Sequence, residues 1–266
     1  MKVLKKIFIL FLFVLICLPS CESYRVETFQ SNNKLVDSTS IMIDFKEIQF
    51  DRYKDSLDLE MDEILNECVT DLEVGCPEGL LGNFICDLSM FMTNKYYETD
   101  IKPDFCVLNN GGFRTSINKG IITRGKIFEV MPFDNYLVIL KLDENRIKEL
   151  LKYIREKSSM GKSRKSGVPV SGLRMKISEN KITRCMINNS AYNSDQPYYV
   201  LTTDYLAKGG DNMEFFKHAT EYINTGVLLR DAIINYISEI NKTGIKVEAK
   251  FDLSLIHISE PTRLGF

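Results

Sequence analysis

Residues 108–133 read LNNGGFRTSINKGIITRGKIFEVMPF, and this stretch decides how the chain is organised. The apolar run Phe105–Leu108 predicts a short strand that breaks directly into the polar loop Asn109–Arg114. Gly111 and Gly112 let the backbone approach a ligand closely, and Arg114 offers a planar fork of donors for oxygen anions or a ribose edge. The stretch therefore predicts a binding loop at the end of a strand. On these six residues alone, a plain turn with a solvated arginine is an equal alternative.

Apolar periodicity predicts the elements around this loop. The predicted helices are Leu57–Val69, Leu80–Tyr96, Thr123–Val130, a helix capped by Asp143 that carries Ile147, Leu150, Leu151 and Ile154 on one face, and a last helix from Thr225 to Ile240. The predicted strands are Ile41–Phe50, Phe105–Leu108, Tyr136–Leu142, Leu173–Ile177 and Ile182–Ile187 as a hairpin, and Tyr198–Thr203. Because helices and strands alternate without the rhythm of a doubly wound sheet, we expect an α+β or mixed α/β domain.

The two ends of the chain are set apart from this domain. Residues 1–20 combine three lysines with an apolar run too short to span a bilayer, which predicts a signal peptide. The run ends at Cys21 in a segment that resembles a bacterial lipobox, so we expect lipidation at Cys21, export and anchoring to a bacterial membrane on its periplasmic or cell-surface side. An unlipidated signal peptide or an anchor helix is the alternative. Residues 21–40 are expected to form a tether and 41–252 the domain, whereas 253–266 resemble a translated sequencing adapter.

Charge and cysteine spacing exclude some classes of function. The net charge is −2, which argues against binding to nucleic acid. The five cysteines of the domain lack the paired spacing of a zinc site. We expect buried thiols among them, with one disulfide as an open possibility. They are Cys68, Cys76, Cys86, Cys106 and Cys185.

Several motifs in order resemble the C-terminal domain of the 5'-nucleotidase family. They are Leu81-Gly82-Asn83, Asn109–Arg114, Gly120–Thr123, Val130–Phe133, Asp204–Asp211 and Ile223–Gly226. The resemblance covers roughly residues 68–250 and implies a mixed sheet flanked by helices that recognises a nucleotide or nucleoside.

The family resemblance also implies roles for individual residues. It places Asn109 and Arg114 at the polar part of the nucleotide, with Gly111 and Gly112 closing the loop on the ligand. Phe133 matches one of two aromatics that sandwich the base, and a buried turn is the alternative for it. Asp211 and Met213 complete the implied substrate-binding set.

Three departures from the family pattern qualify this expectation. Met213 stands where the second aromatic is usual, with Phe215 or Phe216 as substitutes left open, and Pro77 stands where many members carry an arginine directed at the substrate. The third departure is the metal centre: the chain has two histidines and none of the Asp-x-His, Gly-Asn-His or Gly-His-x-His segments of the family's metal-bearing domain. We therefore expect no catalytic residue, cofactor or metal site in this chain, and divalent metals only in a partner chain.

Three functional hypotheses follow from these expectations. The first is the recognition subunit of a split 5'-nucleotidase whose metals lie in a separate metallophosphoesterase chain. The second is a stand-alone binding lipoprotein for nucleosides or nucleotides. The third is a degenerate domain kept as a structural module.

Overall fold

A five-stranded mixed sheet forms the centre of the domain. The computed structural model describes residues 47–97, 101–158, 166–249 and 255–259. The predicted signal peptide, Cys21 and the tether lie outside the described residues. The α+β expectation is confirmed, since six α-helices and eleven strands occur in the described ranges.

The elements follow the chain in an irregular alternation. The helices are α1 (Glu47–Met61), α2 (Leu80–Tyr96), α3 (Arg124–Val130), α4 (Glu144–Ser158), α5 (Asp204–Ala207) and α6 (Leu229–Lys242). The strands are β1 (Ile64–Cys68), β2 (Phe105–Val107), β3 (Gly120–Thr123), β4 (Tyr136–Leu142), β5 (Val170–Ser171), β6 (Leu173–Ser178), β7 (Lys181–Ile187), β8 (Ser190–Ala191), β9 (Tyr198–Thr203), β10 (Glu221–Leu228) and β11 (Leu255–Ser259).

Strand order determines which loops meet. The central sheet runs β10-β4-β9-β2-β5. Within it β2 and β9 are parallel neighbours, with Phe105 opposite Val200 and Cys106 opposite Leu201, whereas the other pairs are antiparallel. A second sheet contains the predicted hairpin β6–β7 with β8 and β11, and β1 pairs with β3.

Helices cover both faces of the central sheet. The side chains of β4 alternate: Leu137 and Ile139 pack with α2 and α6, whereas Val138, Leu140 and Leu142 pack with α4 and the β6–β7 hairpin. This period of two places an apolar core on each side of the sheet. The cap predicted at Asp143 is present, since Asp143 Oδ1 accepts a hydrogen bond from Arg146 N at 2.9 Å.

Three predicted elements are wrong in part. Residues 47–50 belong to α1 and not to a strand, and the helix predicted over Leu57–Val69 ends at Met61. Every residue of 52–60 is exposed, so α1 has no buried apolar face along this stretch. The spacing of apolar residues therefore did not indicate where this helix begins and ends. The last helix begins at Leu229 because Thr225 belongs to β10, where its hydroxyl donates to Leu137 O at 2.7 Å.

The five cysteines of the domain are free thiols. Cys68, Cys86 and Cys106 are buried, and Cys76 and Cys185 are half-buried. The expectation of buried thiols is confirmed for these three residues.

A glutamate sits in the turn before α2. Asn83 Nδ2 donates to Glu78 Oε2 at 3.0 Å. Burial raises the pKa of Glu78 to about 7, against the lowering effect of that hydrogen bond, and burial likewise raises the pKa of Asp87 to about 6.

These raised pKa values predict a pH dependence of stability. For an acid whose pKa is higher in the folded than in the unfolded chain, the stabilising contribution is complete below the unfolded pKa and is lost as pH rises through the folded one. We expect the free energy of unfolding to fall between about pH 5 and pH 8, with a share from Glu78 on the order of 1 kcal/mol after solvent screening. Denaturant titrations should show that Glu78→Gln removes this share. Glu73→Gln, at an exposed glutamate of the same loop, should leave the pH dependence unchanged. If the free energy of unfolding of Glu78→Gln fell with pH as steeply as that of the unaltered chain, Glu78 would not be the source of the pH dependence.

Candidate nucleotide-binding site

The loops after β2 and β9 form one site because the two strands are parallel neighbours. The carboxyl ends of such strands meet at the same edge of a sheet, where ligands of mixed and parallel sheets commonly bind. Asn109 follows β2, and Asp211 follows β9 after the short helix α5. Asn109 Nδ2 donates to Asp211 Oδ2 at 2.5 Å, which links positions 102 residues apart. The fold thus unites two motifs that the sequence keeps separate.

Gly111 and Gly112 are required in the loop because a side chain at either position would crowd the Asn109–Asp211 pair. A Cβ atom on Gly111 would lie 3.2 Å from Asp211 Oδ2, and one on Gly112 would lie 3.0 Å from Asn109 Oδ1. Neither glycine has the positive φ that would itself demand glycine. Their role is therefore to let the backbone come against the Asn109–Asp211 pair.

Asp211 is held in an unusual backbone conformation. Its φ is 52° and that of Asn212 is 63°, in the left-handed region that Asp and Asn tolerate better than most residues. Tyr153 Oη, from α4, donates to Asp211 O at 2.7 Å. Burial raises the pKa of Tyr153 to about 12, so this hydroxyl keeps its proton and remains a donor. Asp211 is thus fixed from both its side chain and its carbonyl.

Arg114 and Phe133 lie side by side at the site. The guanidinium carbon of Arg114 is 5.9 Å from the centroid of the Phe133 ring, within cation–π range. Arg114 N donates to Val130 O at 2.9 Å, which ties the binding loop to the end of α3. The Phe133 side chain is 42% exposed, unlike a residue of a buried turn. The structure thus leaves this ring accessible for stacking.

The loop that carries Phe133 is positioned by Arg230. This arginine, in the first turn of α6, forms an ion pair with Asp134 and lies 4.3 Å from the centroid of Phe128. One of its amino groups also lies 3.5 Å from Met131 O. The sequence analysis missed Arg230, although a cation in the first turn of a helix opposes the helix dipole and was a usable signal.

The three residues considered for the second aromatic position, Met213, Phe215 and Phe216, are all buried. Met213 is 1% exposed, and Phe215 and Phe216 are also buried, packed against each other at 4.8 Å between ring centroids. Phe215 additionally packs edge-on against Tyr153. Among the described residues near Asp211, these rings therefore belong to the core on the α4 side of the sheet.

A cavity of about 110 Å³ lies between the Asn109–Asp211 pair and α4. Its lining comprises Asn109, Asn110, Tyr153, Lys157, Gly167, Val168, Asp211, Asn212 and Met213. Pockets for whole drug-sized ligands are about 300–1,000 Å³, so this cavity has room for a small polar group and not for a nucleoside. The sequence analysis missed Tyr153 and Lys157, whose place at the site depends on tertiary packing alone.

Position 77 borders the same cavity. Asn110 is buried, and its Nδ2 donates to Gly75 O at 2.9 Å and to Ser166 O at 2.8 Å. A Cβ atom on Gly167, a cavity residue, would lie 3.0 Å from Pro77 O. The turn that contains Pro77 therefore packs against the site.

Two further features bear on what the domain can hold. Within the described ranges, no group of three or more His, Cys, Asp or Glu side chains is arranged to hold a metal ion. No helix in that part of the chain is both long and apolar enough to cross a bilayer.

Comparison with known proteins places this geometry in a family. The 5'-nucleotidase C-terminal domain family matches residues 63–218. The chain is 27% identical over 234 residues to the trifunctional nucleotide phosphoesterase of Bacillus subtilis, covering 81% of this chain and 15% of that protein. It is 29% identical over 136 residues to the 5'-nucleotidase of Vibrio parahaemolyticus, covering 51% of this chain and 24% of that protein. The chain therefore spans less than a quarter of the length of these two relatives.

Solved structures show the same fold. The 5'-nucleotidase precursor from Thermus thermophilus superposes with a TM-score of 0.64 at 24% identity, over 81% of this chain and 43% of that one. The NAD nucleotidase of Haemophilus influenzae gives a TM-score of 0.60 at 18% identity, over 80% of this chain and 41% of that one. With the family match over more than half of its residues and this shared fold, the chain belongs to the family of 5'-nucleotidase C-terminal domains.

Proposed function

We propose that this chain is the nucleotide- or nucleoside-recognition subunit of a split extracytoplasmic 5'-nucleotidase. The observation that carries the proposal is a pair of contacts on one loop: Asn109 is hydrogen-bonded to Asp211, and Arg114, five residues further on, lies beside the exposed ring of Phe133. A site with an accessible aromatic face, a cation and paired polar groups suits a base joined to a sugar and a phosphate.

Each side chain has a distinct role in this proposal. The base stacks on the exposed ring of Phe133, an interaction worth about 1–3 kcal/mol. Arg114, exposed beside that ring, directs its guanidinium to the oxygen atoms of the sugar or phosphate. Asn109 and Asp211 offer amide and carboxylate groups to the polar part of the ligand, with Gly111 and Gly112 exposing their backbone.

The hydrolytic metals belong to a partner chain in this proposal. A two-metal centre would activate the nucleophile and stabilise the charge that develops on the phosphate. The donor side chains of the described residues do not fit such a centre. Hydrolysis then requires a separate metallophosphoesterase, to which this chain presents the substrate. Lipidation at Cys21 would hold the assembly at a membrane surface.

A second candidate is a binding lipoprotein that acts without a catalytic partner. The burial of Met213 and the packing of the Pro77 turn against the cavity favour it, because the family resemblance implies an aromatic and an arginine at these two positions. Without a second aromatic the base would be held less tightly, and without an arginine the phosphate would be held less tightly. This candidate predicts ligand binding with no gain of hydrolysis in the presence of any partner.

One prediction of the proposed function concerns the stacking ring. Calorimetric titration of the purified chain should show binding of adenosine and adenosine monophosphate. Phe133→Ala should weaken both by about 5- to 150-fold, because it removes about 1–3 kcal/mol of stacking. Arg114→Ala should weaken the monophosphate more than the nucleoside, since it removes a charge-assisted contact.

A matched control is available for the stacking ring. Phe91 on α2 is 52% exposed, similar to Phe133, and lies outside the site. Phe91→Ala should bind both ligands as the unaltered chain does. Equal affinities in the Phe133 and Phe91 variants would show that the base does not stack on Phe133.

Another prediction of the proposed function concerns the partner. A metallophosphoesterase that co-purifies with this chain should hydrolyse adenosine monophosphate about tenfold faster or more when the chain is added, because substrate binding energy is then used in the transition state. The Phe133→Ala chain should give little of this gain, and the Phe91→Ala chain all of it. Failure of the unaltered chain to stimulate hydrolysis would favour the stand-alone binding lipoprotein.

A further inference from the structure

Two buried cysteines meet between α2 and β2. Cys86 lies on the buried face of α2, and Cys106 is the middle residue of β2. Both side chains are fully buried. Along β2, Phe105 and Val107 pack on the α4 side of the central sheet, whereas Cys106 packs on the α2 side. Because side chains of a strand alternate between its two faces, Cys106 points toward the helix that carries Cys86.

The two thiols are in direct contact. The thiol of Cys86 is hydrogen-bonded to that of Cys106, and it also contacts the backbone of Leu108. Burial holds the pKa of Cys86 well above its usual range, and the hydrogen bond to Cys106 raises that pKa further. Because the thiolate is the reactive form of a cysteine, Cys86 is a poor nucleophile once the core has closed around it.

The other cysteines of the domain have different surroundings. Cys68 donates a hydrogen bond to a backbone carbonyl at 3.0 Å, and Cys76 donates one to another carbonyl at 3.4 Å. Cys185 lies on β7, in the second sheet. Cys86 and Cys106 are therefore the two cysteines that the fold brings together.

We propose that Cys86 and Cys106 form a disulfide when the chain folds in an oxidising compartment. The oxidant is an external disulfide, of the glutathione or dithiol-oxidase class. The thiolate of one cysteine attacks that disulfide and releases one thiol, and the second cysteine then attacks the mixed disulfide and releases the other. The two cysteines lose two electrons and two protons in total, and the external disulfide gains them as two thiols.

Burial determines when this exchange takes place. Since both sulfurs are enclosed in the folded domain, the oxidant reaches them before α2 packs against the sheet. The same burial then shields the bond from reductants, so the disulfide is structural. The proposal rests on the proposed export, because cytosolic thiols are kept reduced. It does not depend on nucleotide recognition.

The bond anchors the start of the binding loop. Cys106 lies three residues before Asn109, so a covalent link to α2 holds the end of β2 from which that loop leaves the sheet. A disulfide also constrains the unfolded chain, which stabilises the folded domain.

The first part of the test is to map the bond. The chain exported by a bacterial host, and the full chain refolded with oxidised and reduced glutathione, are alkylated under denaturing conditions. Cleavage after glutamate places Cys68, Cys76, Cys86 and Cys106 on four different peptides. Mass spectrometry without reduction should find the peptide of Cys86 joined to that of Cys106 in both preparations, and dithiothreitol should separate the two peptides.

The second part measures the effect on stability. Reduction in denaturant, followed by refolding with dithiothreitol, should lower the Tm by about 5 to 10 °C relative to the oxidised chain. Cys86→Ala and Cys106→Ala should have the same Tm with and without reductant, whatever that Tm is. The control is Cys68→Ala, which removes an equally buried thiol outside the pair and should keep the full response to reductant.

The outcomes separate the disulfide from the proposed export. A link between Cys86 and Cys106 in both preparations, with a reductant response that only their variants lose, supports both proposals. A link in the refolded chain alone supports the pairing and contradicts the export. The absence of a linked peptide from both preparations, or a link from either cysteine to Cys68, Cys76 or Cys185, would overturn the proposal.

Discussion

The hydrogen bond between Asn109 and Asp211 is the contact on which the site depends. It joins the loop after β2 to the loop after β9, and it exists because those strands are parallel neighbours whose carboxyl ends share one edge. Gly111 and Gly112 have no side chains in the space that the pair occupies. Were these strands antiparallel, the two loops would lie at opposite ends of the sheet.

The remaining contacts fix the two loops against the helices. Tyr153 of α4 holds the carbonyl of Asp211, which keeps that residue in its left-handed conformation. Arg230 of α6 holds the loop that carries Phe133 by its ion pair with Asp134. The loop of Asp211 is therefore anchored from α4 and the loop of Phe133 from α6, and such preorganisation would lower the entropic cost of binding the proposed ligand.

The helices and strands were predictable from the sequence where one buried face makes apolar residues recur at a regular spacing. The strand Tyr136–Leu142 alternates between two cores, and the hairpin turns at Glu179 and Asn180 with positive φ values, which the residue type suggests for Asn180 but not for Glu179. The prediction failed at α1, whose residues 52–60 contact little and so carry no burial pattern. It failed again at Thr225, because a polar segment that pairs with β4 has no apolar alternation to reveal it.

The site was predictable only in part. The glycine-rich loop, Phe133 and Asp211 carry local signatures, and the structure places Asp211 against Asn109 and Phe133 beside Arg114 of that loop. Their roles toward a ligand stay predictions. Tyr153 and Lys157 could not be found in the same way, because a residue on an amphipathic helix gives no sign of the loop that it will meet. The burial of Phe215 and Phe216 likewise depends on the packing of α4 against the turns after β9.

Backbone amide chemical-shift mapping of the isotopically labelled chain, titrated with adenosine monophosphate, tests the joined site most directly. We expect the largest shifts to fall together on Gly111, Gly112, Arg114 and Asp211, with the same saturation curve for both loops. Shifts confined to one loop, or centred elsewhere in the domain, would contradict it.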